Sequence, residues 1–219
     1  MNYIKLEELS IDELELGIKR ALENAEDMIN EGDILYENES YPRSYTLYQL
    51  AIEEIGKSRI LFSLIINLRL ENEIDFKEIN KDFMHHQTKS KSAITFEMAA
   101  LLVMHSTGDE SADERKKKFF TSLEDLQAES ENINRLNNYK NDSLYIGIAE
   151  KKFISPKDVI TKEMTDELRT NSLIRLEASR TILKGMLNDV DKLVKGIKEV
   201  DDDDEFKIDD QFFDQFFRD

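Results

Sequence analysis

Three short stretches of this sequence bring together side chains able to hold a phosphate and move a proton. The first, Ala51-Ile52-Glu53-Glu54-Ile55-Gly56-Lys57, sets two carboxylates against one ammonium. Glu53 stands four residues before Lys57 and Glu54 three, so on a helix one lysine reaches either acid. The second is His86-Gln87-Thr88-Lys89, followed by Lys91. An imidazole is the side chain that changes charge nearest neutral pH, and helical spacing sets His86 beside Lys89. The third is Lys140-Asn141-Asp142-Ser143-Leu144-Tyr145. A cation, an amide and a phenol within six residues can bind a phosphate. A phenol, with an ordinary pKa of about 10, donates a proton more readily than it accepts one at pH 7.

Each stretch also has a plainer reading. Glu53, Glu54 and Lys57 can be a surface ion pair beside a packing glycine. Mid-helix glycine costs about 1 kcal/mol relative to Ala, and the usual reason to keep it is close approach of another backbone. His86 can simply face solvent or a neighbouring helix, and Lys140–Tyr145 can be a helix C-terminus with a buried tyrosine.

Other chemistries lack their residues. With no Cys there is no thiolate nucleophile, disulfide or Cys-based zinc site. No HExxH, GxxxxGK, GxGxxG or nucleophile elbow occurs. A metal held by Glu53, Glu54 and His86 would need further ligands, so no metal and no cofactor are expected.

The elements that must position these residues are helices. In 219 residues there are only 7 Gly and 2 Pro, which leaves little turn chemistry and favours long helices with short connections. Ser10 and Glu13 have capping-box spacing, opening a first helix to about Leu35 that buries Leu14, Ile18, Ala21, Leu22, Ala25, Met28 and Ile29. Tyr41–Leu70 reads as a second helix, with Pro42 in its first turn and an apolar stripe through Tyr45, Tyr48, Ile52, Ile55, Phe62 and Ile66. Asp75 and Glu78 open a third, running from Phe76 to about His105, and a charged fourth spans about Ser111–Tyr139, which puts Lys140 just past its end. Asn137–Ser155 is a connector in which Leu144–Ile146 and Phe153–Ile154 can pair as a hairpin. Ser155-Pro156 signals another helix start, and a last helix covers about Thr161–Val200, burying Leu168, Leu173, Leu176, Ile182, Leu183, Leu187, Val190 and Val194. The predicted fold is an all-α bundle of about five long helices.

The net charge of −17 is unevenly spread. Glu199–Asp219 holds ten acidic and two basic residues, so nearly half of the excess sits in this stretch. The body keeps basic clusters, Arg115-Lys116-Lys117-Lys118 and the run with Lys81, His85, His86, Lys89 and Lys91, so total charge does not exclude RNA. In the tail, Phe212, Phe213, Phe216 and Phe217 recur at helical spacing, suiting either a docking helix over a basic groove or a disordered acidic terminus. The acidic, amphipathic N-terminus is unlike a signal peptide, and no apolar run reaches about 18 residues. No membrane span is expected, and the cytoplasm is the expected location.

Taken together, AIEEIGKSRIL, HQTK with Lys91 and Ala93, and KNDSLYIG followed by Pro156 resemble the AbiV family of bacterial abortive-infection proteins, part of the wider HEPN group. The resemblance covers about Ile18–Leu187. It implies a helical HEPN-like domain over residues 1–200, with 201–219 as a separate acidic, Phe-rich tail. It also implies a homodimer and metal-independent RNase chemistry, in which a His handles protons and an Arg steadies the scissile phosphate. Here Lys140, Asn141 and Tyr145 stand at the matching place, so Lys replaces Arg and Tyr replaces His. No Arg precedes any of the three histidines by four to seven positions.

The expected function is an antiphage effector acting on RNA or translation to halt growth of infected cells, a toxin to its host, answering a phage-encoded trigger protein. Its working residues would be Lys140 and Asn141 on phosphate, Tyr145 or His86 as proton donor or acceptor, and Glu54 holding Lys57, with Glu53, Lys89 and Lys91 binding. The alternatives are a non-catalytic module that docks a phage or host protein, nucleotide or RNA, and a plain helical scaffold.

Overall fold

A computed structural model describes residues 5–86, 88–93 and 132–201, together with isolated positions between 111 and 128. Arg115, Lys116, His105 and the tail beyond Asp201 lie outside the described residues. After a single 3-10 turn at Leu6–Glu8 come α1 (Ile11–Glu37), α2 (Tyr41–Leu70) and α3 (Phe76–Met84). Further on are α4 (Ile133–Asp142), strands β1 (Gly147–Ala149) and β2 (Lys152–Ile154), α5 (Pro156–Val159), α6 (Lys162–Asn188) and α7 (Val190–Asp201). The fold is all-α, as its composition predicts.

The centre of the bundle is α2. It is buried on nearly every side, with Tyr45, Tyr48, Ala51, Ile52, Ile55, Leu61, Leu64 and Ile65 all in the core. A helix with so little polar face belongs in the middle of a bundle. Pro42 occupies its first turn. α1 folds back along α2, and α6 packs against both. Ser10 starts α1 by accepting the Glu13 amide at 3.2 Å, and Leu14, Ile18, Ala21, Leu22, Ala25 and Ile29 form its inner face, with Met28 half-buried.

One polar seam ties the three long helices together. Tyr48 of α2 donates its hydroxyl to Asp33 of α1 at 2.6 Å, and Arg169 of α6 grips the same carboxylate through Nε at 2.7 Å and a terminal nitrogen at 3.0 Å. A turn away, Tyr36 donates to Asp166.

Five expectations are corrected. The third helix is not continuous from Phe76, and residues 94–105 of its expected span lie outside the described residues. It ends at Met84, His85 is extended (φ −85°, ψ 123°), and the helix resumes when the Lys89 amide bonds the His85 carbonyl at 3.2 Å. This break re-aims the following turn toward α2. Of the expected fourth helix, the described part starts at Ile133 after a turn at Asn132 and extends beyond Tyr139 to Asp142, so Lys140 belongs to its last turn; most of 112–131 lies outside the described residues. The last helix breaks at Asp189 (φ −139°, ψ 44°), and Leu173 faces out rather than into the core. The hairpin exists but is shifted: Gly147–Ala149 pairs antiparallel with Lys152–Ile154, leaving Leu144–Ile146 unpaired. Its two-residue turn, Glu150-Lys151, has φ of 51° and 65°, the left-handed pair that matches strand twist.

Candidate functional site

Glu53 is the hub on which the three sequence stretches meet. It lies on α2, and its side chain is 3% exposed. Lys140 of α4 donates to Oε1 at 2.6 Å, and His86 Nδ1 lies 2.5 Å from Oε2. The Lys89 ammonium stands 3.4 Å from Oε2. Glu54, one residue on, accepts instead from Lys57 at 2.5 Å. The Lys57 ammonium also sits 5.6 Å above the Phe83 ring of α3.

Local packing makes this convergence. Gly56 lets the turn carrying Lys89 press onto α2, so closely that a Cβ there would lie 1.8 Å from the Lys89 carbonyl oxygen. Close approach of a second backbone is therefore the reason for the glycine. Buried Ser90, next to Lys89, accepts from Gln49 of α2 at 3.3 Å. On the other side, α4 is anchored by its C-terminal turn. Thr46 and Ser143 share a hydrogen bond of 2.5 Å, and the Ser143 hydroxyl donates to the Lys140 carbonyl at 2.6 Å. Arg43 donates to the carbonyls of Ser143 (3.3 Å) and Leu144 (3.0 Å), acceptors that a helix end leaves free. Thr46, Arg43, Gln49 and Ser90 carry no signal in the sequence beyond their polarity, and Ser143 stands in the third stretch without a role of its own.

The electrostatics decide the charge state of the hub. Burial pushes the Glu53 carboxyl up, but hydrogen bonds and charge from Lys140 and His86 outweigh it, and the net direction is below the ordinary carboxylate range. Burial drives the Lys89 ammonium down, with the Glu53 carboxylate opposing it. The described cluster thus sets the ammoniums of Lys57, Lys89 and Lys140 against two carboxylates, before His86 is counted.

Asn141, Tyr145 and Lys91 have no bond to Glu53 among the described residues. Asn141 is exposed, and its carbonyl accepts from the amides of Leu144 and Tyr145 at 3.0 and 3.1 Å. Tyr145 is 67% exposed rather than buried, beyond the turn. Lys91 is exposed on the resumed helix. Lys140 is only 6% exposed, so its ammonium serves Glu53. Among the described residues, no group of His, Asp and Glu side chains is arranged to hold a metal ion. Likewise, none of the described helices is long and apolar enough to cross a membrane.

A bundle centred on one buried helix, with a carboxylate bridging lysines and a histidine from two others, defines the class as an all-α bundle with a buried charged hub. The AbiV family of HEPN domains matches residues 13–175, and the chain belongs to that family. Membership links it to abortive infection. No curated protein and no solved structure matches the chain.

Proposed function

We propose that this chain is an abortive-infection effector that acts on RNA through the charged cluster around Glu53 and so halts growth of infected cells. The observation that carries this reading is the convergence of Glu53, His86, Lys89 and Lys140 from three separate elements of an AbiV-family chain. Holding a carboxylate and two ammoniums together away from water is expensive, and hydrophobic side chains of similar size would commonly stabilise the fold as well. Such a cluster is what a site needs and a scaffold does not. Its surplus of positive charge suits a phosphate-bearing ligand. The activity belongs to the cytoplasm, with two copies of the chain acting as a homodimer and a phage-encoded protein as trigger.

A second reading, a docking module without catalysis, is favoured by one observation. Lys140, at the place where the family resemblance puts the phosphate-holding arginine, spends its charge on Glu53 instead. Expression in bacteria under phage challenge, followed through total RNA and through protein synthesis, separates the two. An RNA-acting effector arrests growth with fragmented RNA. A docking module arrests growth with RNA intact. Protection that survives Glu53→Gln unchanged would remove the cluster from either account.

A further inference from the structure

We propose that Glu53 and His86 form a carboxylate–imidazole pair in which His86 Nε2 is the atom that takes the proton from an RNA 2′-hydroxyl. This assignment rests on the RNA reading above and deepens it, deciding between His86 and Tyr145 as the proton-handling group.

The geometry supports it in three ways. First, the pair spans the boundary between core and solvent. Glu53 is 3% exposed and the His86 side chain 57%, so the imidazole enters the core with Nδ1 and leaves its far edge outside. Second, an ionised carboxylate only accepts hydrogen bonds, so the hydrogen between Glu53 and His86 belongs to Nδ1. In the neutral ring the lone pair then resides on Nε2. Among the described residues no partner meets Nε2. Third, Lys140 and Lys89 hold the carboxylate from its other sides, which keeps it fixed and charged while the ring changes state. Of the described side chains touching Glu53, His86 alone is exposed.

The other candidates lack one of these properties. Tyr145 is exposed but lies on the unpaired segment beyond α4, with no contact to the carboxylate among the described residues. Glu54 is held by Lys57. Lys89 and Lys140 are buried.

The step balances without a metal or co-reactant. Nε2 takes the 2′-hydroxyl proton, the 2′-oxygen bonds to phosphorus, and the bond from phosphorus to the 5′-oxygen breaks. The leaving oxygen takes a proton from water, and the imidazolium, stabilised by Glu53, returns its proton to the hydroxide so formed. The products are a 2′,3′-cyclic phosphate end and a 5′-hydroxyl end. The charged group meeting the ring is Glu53 from α2, and Lys89 from the ring's own helix and Lys140 from α4 meet that same carboxylate; Glu54 and Lys57 of α2 pair with each other beside it.

The test has two arms on the full chain. With 15N-labelled histidine there are only three imidazoles to resolve, and His86→Gln assigns the signal. The neutral ring of His86 is expected as the Nδ1–H tautomer, turning mixed in Glu53→Gln. An Nε2–H tautomer, or one indifferent to Glu53→Gln, overturns the pair. In the second arm a single-stranded RNA oligonucleotide is incubated with chelator present. His86→Gln is expected to lose at least ~100-fold in cleavage while binding the oligonucleotide within about twofold, the range a positioned acid–base group supplies. His85→Gln, one residue away and exposed, keeps the rate. Cleavage undiminished in His86→Gln overturns the assignment and leaves the RNA reading standing. Wild type that binds RNA without cutting it overturns proton transfer. Wild type that neither binds nor cuts overturns the RNA reading too.

Discussion

Gly56 and Lys89 are in backbone contact across two helices, with the Lys89 carbonyl oxygen occupying the space a side chain at position 56 would need. Everything that Lys89 and His86 do at Glu53 depends on that contact. Gly56→Ala therefore forces the turn carrying them away from α2. We expect a loss of about 1–3 kcal/mol, the usual cost of overpacking, read as a lower midpoint in urea. Gly185, exposed on α6, has nothing within 4 Å of a built Cβ. There the same change gains helix propensity, and Gly185→Ala should raise stability by up to about 1 kcal/mol. Opposite signs from one substitution type separate packing from propensity.

Glu53→Gln leaves two buried ammoniums without their counter-charge. Removing one partner from a buried ion pair costs about 3–5 kcal/mol. Adding Lys140→Met to Glu53→Gln removes one stranded charge and should recover part of that loss. A double variant less stable than Glu53→Gln alone would mean that Lys140 is held mainly by something other than the carboxylate.

The Asp33 seam predicts acid sensitivity. The Arg169 guanidinium holds the Asp33 carboxyl below its ordinary range, against burial and with help from Tyr48. A depressed folded pKa means stability present above the unfolded value of about 3.9 and lost as pH falls through the folded one. Denaturation midpoints measured from pH 6 down to pH 2.5 should therefore fall below about pH 4, and fall less steeply in Asp33→Asn. Parallel curves for the two proteins would show that Asp33 does not report folding.

Arg43 fastens the end of α4 through the Ser143 and Leu144 carbonyls. Arg43→Ala should loosen that turn without unfolding the bundle. Hydrogen exchange followed by mass spectrometry is expected to speed up over residues 140–145, with α1 and α2 unchanged. Uniform acceleration would instead indicate a global loss of stability.

Much of the fold is legible in the chain because the cues are local. The bounds of α2 follow from Pro42 and an unbroken apolar pattern, the starts of α1 and α3 from the caps Ser10 and Asp75, which accept amides three residues on, and the start of α5 from Ser155-Pro156. The breaks at His85 and Asp189 escaped notice since neither is a proline or glycine. Leu173 shows the same limit, for its type favours burial while its position on α6 turns it outward.

The candidate residues were visible as three polar patches, yet their roles were not. Sequence spacing offers Lys57 to Glu53 and Glu54 equally, and only the fold gives it to Glu54 and reserves Glu53 for Lys140, Lys89 and His86. A helix fixes its neighbours three and four residues away by geometry alone, so composition and period determine the bundle and its capping. Which of two adjacent carboxylates is buried depends on what packs over each from 33 and 87 residues along the chain. That is decided by tertiary structure, because burial and long-range pairing are properties of the assembled helices.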